Sequence, residues 1–336
     1  MKNYNLVYKL SIILLLISTL SACVKRSDTK IGFLLPNTTA ARMTIEANTF
    51  KAKAAELGCE VIVMDAKGDE KLQRDQAREL IDKGVNVLVI MAVNAYTAAE
   101  VIREAHNSNI KVIGYDRLIT NCDLDFYISF NNYNVGKYMA EYALKQKPEG
   151  EYILLEGDKS DRNAILVRQG HIEALQPAIQ LGKVKIVYDV FTEDWDSENA
   201  YHQIKKYIRL TSNNLPDVVL SAYDGMSSGA IKAIADLNIN NTTLITGQDA
   251  EPQALKNIMN GKQCMTIYKP FKVLAENAVI TAVKLAKNEK VESNLTTNNN
   301  RVDVPTLLFD PIVVDKTNIK QTVIADGLVK ESDIMN

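Results

Sequence analysis

The sequence predicts an α/β protein made of parallel sheets and divided into two lobes. Three observations point there. Short Val/Ile/Leu-rich runs alternate with amphipathic stretches of helical length almost from end to end. The runs are apolar throughout rather than alternating, as strands covered on both faces are. A chain of 336 residues also exceeds the size at which one core keeps growing. A hydrophobic content of 46% with only 15 Gly and 8 Pro fits compact α/β structure.

The first segment, 1–22, has Lys2 and Lys9 before and at the edge of the apolar run Leu10–Leu20. That run is shorter than the roughly 18–20 residues a membrane-spanning helix needs, so it reads as an export signal. It ends in Leu20-Ser21-Ala22-Cys23, which resembles the bacterial lipobox, in which the cysteine is acylated and becomes the new N-terminus. An ordinary signal peptide with a chance cysteine is the alternative. Two or three acyl chains on Cys23 give stable anchoring, so contact with a membrane is expected through the lipid alone. Loss of 1–22 removes two lysines and no acid, taking the formal charge from −2 to −4. With no basic cluster downstream, no nucleic-acid partner is expected. Cys59, Cys122 and Cys264 are odd in number and far apart, which suits free thiols rather than a metal site or a disulfide framework.

The predicted strands follow in order: Ile31–Leu35, Glu60–Met64, Val85–Met91, Lys111–Tyr115, Phe126–Phe130, Tyr152–Glu156, Val184–Val190, Val218–Ala222, Thr243–Thr246 and Met265–Tyr268. Helices between them include Thr44–Leu57, Gln73–Lys83, Ala98–Asn107, Val135–Lys145, Glu198–Leu210 and Phe271–Ala286. Such βα alternation argues for parallel sheets with helices on both sides. The alternation stutters at 116–126, and a polar stretch at 294–300 precedes extended structure over 305–314. These are read as crossings between lobes. The division expected is 30–119 with 270–297 in the first lobe, and 120–269 with 298–336 in the second.

In open parallel sheets, ligands bind beyond the carboxyl ends of the strands. Polar residues gather there: Asn94, Asp116, Arg117, Glu156, Asp158, Asp224, Gln248, Asp249 and Lys269. Any one alone reads as a helix cap or a solvated loop residue. Their recurrence suggests a shared cleft. Catalysis is disfavoured, because GxGxxG and GxxxxGK[ST] are both missing and the three histidines fall inside helical stretches. No metal or cofactor is expected. A neutral, hydroxyl-rich ligand suits what remains, since charged partners strengthen each hydrogen bond to about 1.5–3 kcal/mol net. Trp195, the only tryptophan, stands in the polar stretch Phe191–Asp196, where an indole can cover an apolar C–H face.

Stretches such as Tyr115-Asp116-Arg117, Asp125–Phe130, Thr246-Gly247-Gln248-Asp249-Ala250 and Met265–Pro270 resemble the periplasmic D-xylose-binding proteins of ABC sugar importers, within the ribose/galactose-binding group. The resemblance implies the type I periplasmic binding protein architecture, two Rossmann-like lobes joined by three crossings with a sugar enclosed between them. It puts sugar-contacting roles on Arg42, Arg117, Asp161, Asn163, Asp249 and Lys269, and a stacking role on Trp195. Two positions depart from the pattern: Met43 stands where a second stacking tryptophan is expected, and Tyr223 where an asparagine is expected. Both lie on the implied contacts. The resemblance further implies a monomer in the periplasm or on the cell surface that presents a monosaccharide to an ABC permease. Presentation to a membrane sensor kinase, or a furanose signal as ligand, are the alternatives.

Overall fold

Strand Lys30–Leu35 pairs in parallel with Glu60–Asp65 on one side and Val87–Ile90 on the other. The computed structural model describes residues 29–38, 41–238 and 242–334, so the export segment and Cys23 lie outside the described residues. Strands Lys111–Tyr115 and Phe126–Phe130 extend the same sheet in parallel. Asp303–Phe309 then joins Phe126–Phe130, and Leu295–Asn298 closes that edge as an antiparallel strand. One face of this seven-stranded sheet packs on helices Ala41–Glu56 and Phe271–Ala286, and the other on Glu70–Asp82 and Ala99–Asn107.

The second lobe holds a four-stranded parallel sheet in the spatial order Val184–Phe191, Gly150–Glu156, Val218–Ser221, Leu244–Ile245. Strand Thr266–Tyr268 follows through the bridge between Gln248 and Ile267 and pairs antiparallel with Ile312–Val314. The second-lobe core draws on Tyr152–Leu155, Val218–Leu220 and the helices Asn132–Gln146, Ser197–Leu210 and Asp224–Ala235.

Every predicted strand is present, and fold class and parallel topology agree with the sequence reading. The lobe boundaries need correcting. Phe126–Phe130 was expected in the second lobe, yet it hydrogen-bonds within the first sheet, so the chain crosses at residue 131 rather than near 120. The stretch 294–300 was expected as a polar crossing, but Leu295–Asn298 is an edge strand of the first sheet. The third crossing therefore lies at 310–311, between Phe309 and Ile312. Exposed Thr and Asn side chains read as a linker, although an edge strand open to solvent carries the same composition. The remaining crossing, at Lys269-Pro270, is where the sequence put it.

Helix starts position the cleft. Asp161 caps helix Arg162–Gln180 by accepting from the Asn163 N–H at 2.9 Å, and Asp196 caps Ser197–Leu210 by accepting from Asn199 at 2.8 Å. Caps follow the carboxyl ends of parallel strands, so their carboxylates end up facing the gap between lobes. Among the three described cysteines all are free and Cys122 is fully buried. No helix of the described residues is long and apolar enough to cross a membrane.

Candidate ligand-binding site

Arg42, Met43, Arg117, Asp161, Asn163, Trp195, Tyr223, Asp249 and Lys269, the nine residues on the implied contacts, line one interlobe cavity of about 340 Å³. Arg42 and Met43 come from the first turn of helix Ala41–Glu56, and Arg117 from the end of strand Lys111–Tyr115. The second lobe contributes Asp161 and Asn163 from one helix start, Trp195 from a short 3-10 turn, Tyr223 after strand Val218–Ser221, and Asp249. Lys269 sits at the crossing itself.

Charge alternates through the site. The Arg42 guanidinium lies 2.9 Å from Asp116, 3.4 Å from Asp249 and 3.5 Å from Glu46, and it stacks 4.7 Å above the Phe271 ring. Lys269 Nζ is 2.8 Å from Asp249 Oδ1. Burial works against the Arg42 charge, but the three carboxylates outweigh it and hold the guanidinium protonated well above its ordinary range. Burial likewise raises Asp116, yet Arg42 and Lys269 prevail and keep its carboxyl below the usual value. Three polar contacts tie the lobes together: Arg42 to Asp249, Arg117 Nε to Asp161 at 3.3 Å, and Asn163 Nδ2 donating to the Asp116 carbonyl at 3.2 Å.

Among the described residues, Asp116 Oδ1, Asn163 Oδ1 and Gln248 Oε1 are buried without a hydrogen-bond partner, and all three belong to residues on the cavity wall. Each such acceptor costs about 1–3 kcal/mol if left unmet, so the wall is built to receive donors. The backbone tells the same story. Asp116, Asp194, Trp195 and Asp249 all have positive φ, at 60°, 55°, 57° and 93°. Non-glycine residues hold such conformations where surrounding structure imposes them, commonly at binding sites.

Asp116 and Gln248, strand-end residues without an implied contact, both line the cavity, as do Asn132, Asp194, Asp196 and Ser197. Other strand-end residues turn elsewhere. Asn94 caps its own loop by accepting from the N–H of Tyr96 and Thr97, and buried Glu156 pairs with His171 at 2.8 Å. Asp224 is fully buried beneath the site. Glu46, four residues after Arg42, was not singled out; its i,i+4 spacing to Arg42 was the available signal. The set can grip several hydroxyls and cover one apolar face. Among the described residues there is no cluster of acids, histidines and cysteines fit for a metal.

A family model of the periplasmic binding protein domain matches residues 31–290. The D-xylose-binding periplasmic protein of Haemophilus influenzae is 41% identical over 317 residues, 94% of this chain and 95% of that protein. The protein of the same name from Escherichia coli is 38% identical over 320 residues, 95% of this chain and 96% of its own length. A solved ABC transporter solute-binding protein from Clostridium phytofermentans, with bound β-D-glucose, matches at TM-score 0.86 and 27% identity, covering 91% of this chain and all of that one. By its fold and these relatives, the chain belongs to the periplasmic binding protein family, as a non-catalytic binder of two Rossmann-like lobes joined by three crossings.

Proposed function

We propose that this protein captures a monosaccharide, D-xylose or a related aldopentose, between its lobes and delivers it to an ABC permease. The observation that supports this most is the joining of nine residues into one polar, aromatic-capped cavity that draws on both lobes. Arg42, Arg117, Asp161, Asn163, Asp249 and Lys269 grip the hydroxyls, and Trp195 covers the carbon face. Only the closed form presents both sets of groups at once, so ligand favours closure, and the permease reads the closed shape. The relatives of 41% and 38% identity bear the name of xylose binders, which supports the choice of sugar. The protein works as a monomer in the periplasm or at the cell surface, tethered by lipid on Cys23.

Calorimetry and thermal shift against D-xylose, L-arabinose, D-ribose and D-glucose test the reading. A true ligand at one hundred times its Kd adds about 2.7 kcal/mol of stability and raises Tm. Micromolar affinity, about −8 kcal/mol, suffices for a carrier that must release its cargo. Arg117→Ala should weaken the sugar at least tenfold with the fold intact. No stabilisation by any pentose or hexose would reject the proposal. Labelling with a radioactive fatty acid should mark the wild type and not Cys23→Ser; an unlabelled wild type would reject the lipid tether.

A further inference from the structure

Two aromatic rings meet at one corner of the cavity. Trp195 and Tyr223 lie edge to face, with centroids 6.4 Å apart and planes at 89°. Each ring is backed by a glycine: a Cβ on Gly157 would come within 2.2 Å of the indole Cη2, and one on Gly225 within 2.5 Å of the phenol Cε1. The rings thus rest on backbone, which yields less readily than a side chain. The phenol is also fixed at its far end, where Tyr223 Oη donates to Glu251 Oε1 at 2.5 Å. Glu251 is held in turn, its N–H donating to buried Asp224 at 2.9 Å. A phenol has one proton to donate, and this bond commits it. What Tyr223 can offer the cavity is therefore aromatic carbon and an oxygen that only accepts, with no donor left. Burial, reinforced by Glu251, pushes the phenol's ionisation upward and keeps it neutral.

We propose that Tyr223, pinned by Glu251 beside Trp195, is a specificity-determining residue: the corner accepts a ring carbon bearing only hydrogen and rejects a sugar with a hydroxymethyl group there. The inference rests on the monosaccharide reading above. A pentopyranose with its unsubstituted ring carbon at the corner meets it with C–H bonds alone. A hexopyranose would bring one more carbon and a hydroxyl that loses its water against aromatic carbon, while the Tyr223 hydroxyl has no proton left to give it. One carbon in a fitted apolar pocket is worth about tenfold to 200-fold in discrimination, and a rigid corner lies at the stricter end.

The test is calorimetry of the full-length protein in detergent with D-xylose and D-glucose. The wild type should prefer D-xylose by about tenfold or more. Tyr223→Ala should bring the two affinities within about threefold, mainly by improving D-glucose. Glu251→Ala, which unpins the ring without removing it, should give an intermediate ratio; it carries the test if the alanine at 223 fails to fold. A wild type that binds both sugars equally overturns the inference. So does a ratio that stays at the wild-type value in a variant that still binds. In both cases the monosaccharide reading survives. A wild type that binds neither these nor any other monosaccharide overturns both.

Discussion

Arg42 of the first lobe and Asp249 of the second stand 3.4 Å apart across the cleft, and each is held by a further partner of opposite charge. Asp116 lies 2.9 Å from Arg42 and Lys269 lies 2.8 Å from Asp249, forming a buried chain of alternating sign. Buried ion pairs contribute little net stability, because desolvation offsets their attraction. Their worth here is positional. The chain fixes two cations and two carboxylates around one cavity and links the lobes through the Arg42–Asp249 contact.

Asp249→Asn keeps the side-chain shape but leaves Arg42 and Lys269 short of one negative charge. Ligand affinity should fall at least tenfold, about 1.4 kcal/mol, with circular dichroism unchanged. Isothermal titration of the variant checks it, and wild-type affinity would show that Asp249 does not touch the ligand.

Gly157→Ala should disturb the stacking platform without disturbing the fold. The added methyl would lie 2.2–2.3 Å from three indole carbons of Trp195, so the ring must move. The backbone at Gly157 lies outside the left-handed region, so alanine adds no strain of its own. Because Trp195 is the sole tryptophan, its fluorescence reports the shift directly. A changed emission maximum, an affinity loss of about tenfold and a stability change within about 1 kcal/mol are expected. An unmoved emission spectrum would contradict the packing described.

Much of this architecture was legible in the residues themselves, for reasons that also explain the misses. Apolar runs such as Val87–Ile90 declare buried parallel strands, and polar residues after them, such as Arg117 and Asp249, fall at strand ends by necessity. The assignment of Phe126–Phe130 to a lobe was not legible. Its partner Asp303–Phe309 lies far along the chain, and an apolar strand has the same composition in either sheet. Glu46 is legible only in part: its i,i+4 spacing suggests a pair with Arg42, but its place at the site depends on what surrounds one helix face. The glycines behind Trp195 and Tyr223 were hidden, since the need for a missing Cβ appears only once the rings are in place.

Asp224 should matter for stability first. Its buried carboxylate accepts from Glu251 N at 2.9 Å, Gln263 Nε2 at 2.8 Å and Thr266 Oγ1 at 2.9 Å, tying the helix Asp224–Ala235 to the strand Thr266–Tyr268. Asp224→Ala strands these donors in the interior, at a cost of about 3 kcal/mol or more. Urea denaturation should show a lower midpoint with an unchanged slope. A loss under about 1 kcal/mol would mean that water replaces the carboxylate.

Glu46 gives the protein a pH dependence of definite sign. It is fully buried; Oε1 accepts from the Tyr115 hydroxyl at 3.0 Å, and Oε2 stands 3.5 Å from Arg42 Nε. Burial pushes its carboxyl from the usual 4.5 up to about 7, against the pull of Arg42 and with the push of Asp116. Between those values the folded chain keeps a proton that the unfolded chain has released. The contribution is therefore fully present below about pH 4.5 and is lost as pH rises through about 7, to a total on the order of 3 kcal/mol. Glu46→Gln preserves volume and an acceptor for Tyr115 but cannot ionise. Its stability relative to wild type should climb steadily from pH 5 to about 7.5, since the variant lacks the penalty that wild type acquires over that window. Carboxylates held low, such as Asp116, titrate alike in both proteins and drop out of the difference. Urea unfolding of the pair at a series of pH values measures the slope, and a flat difference would mean that Glu46 is ionised in the fold at its ordinary value.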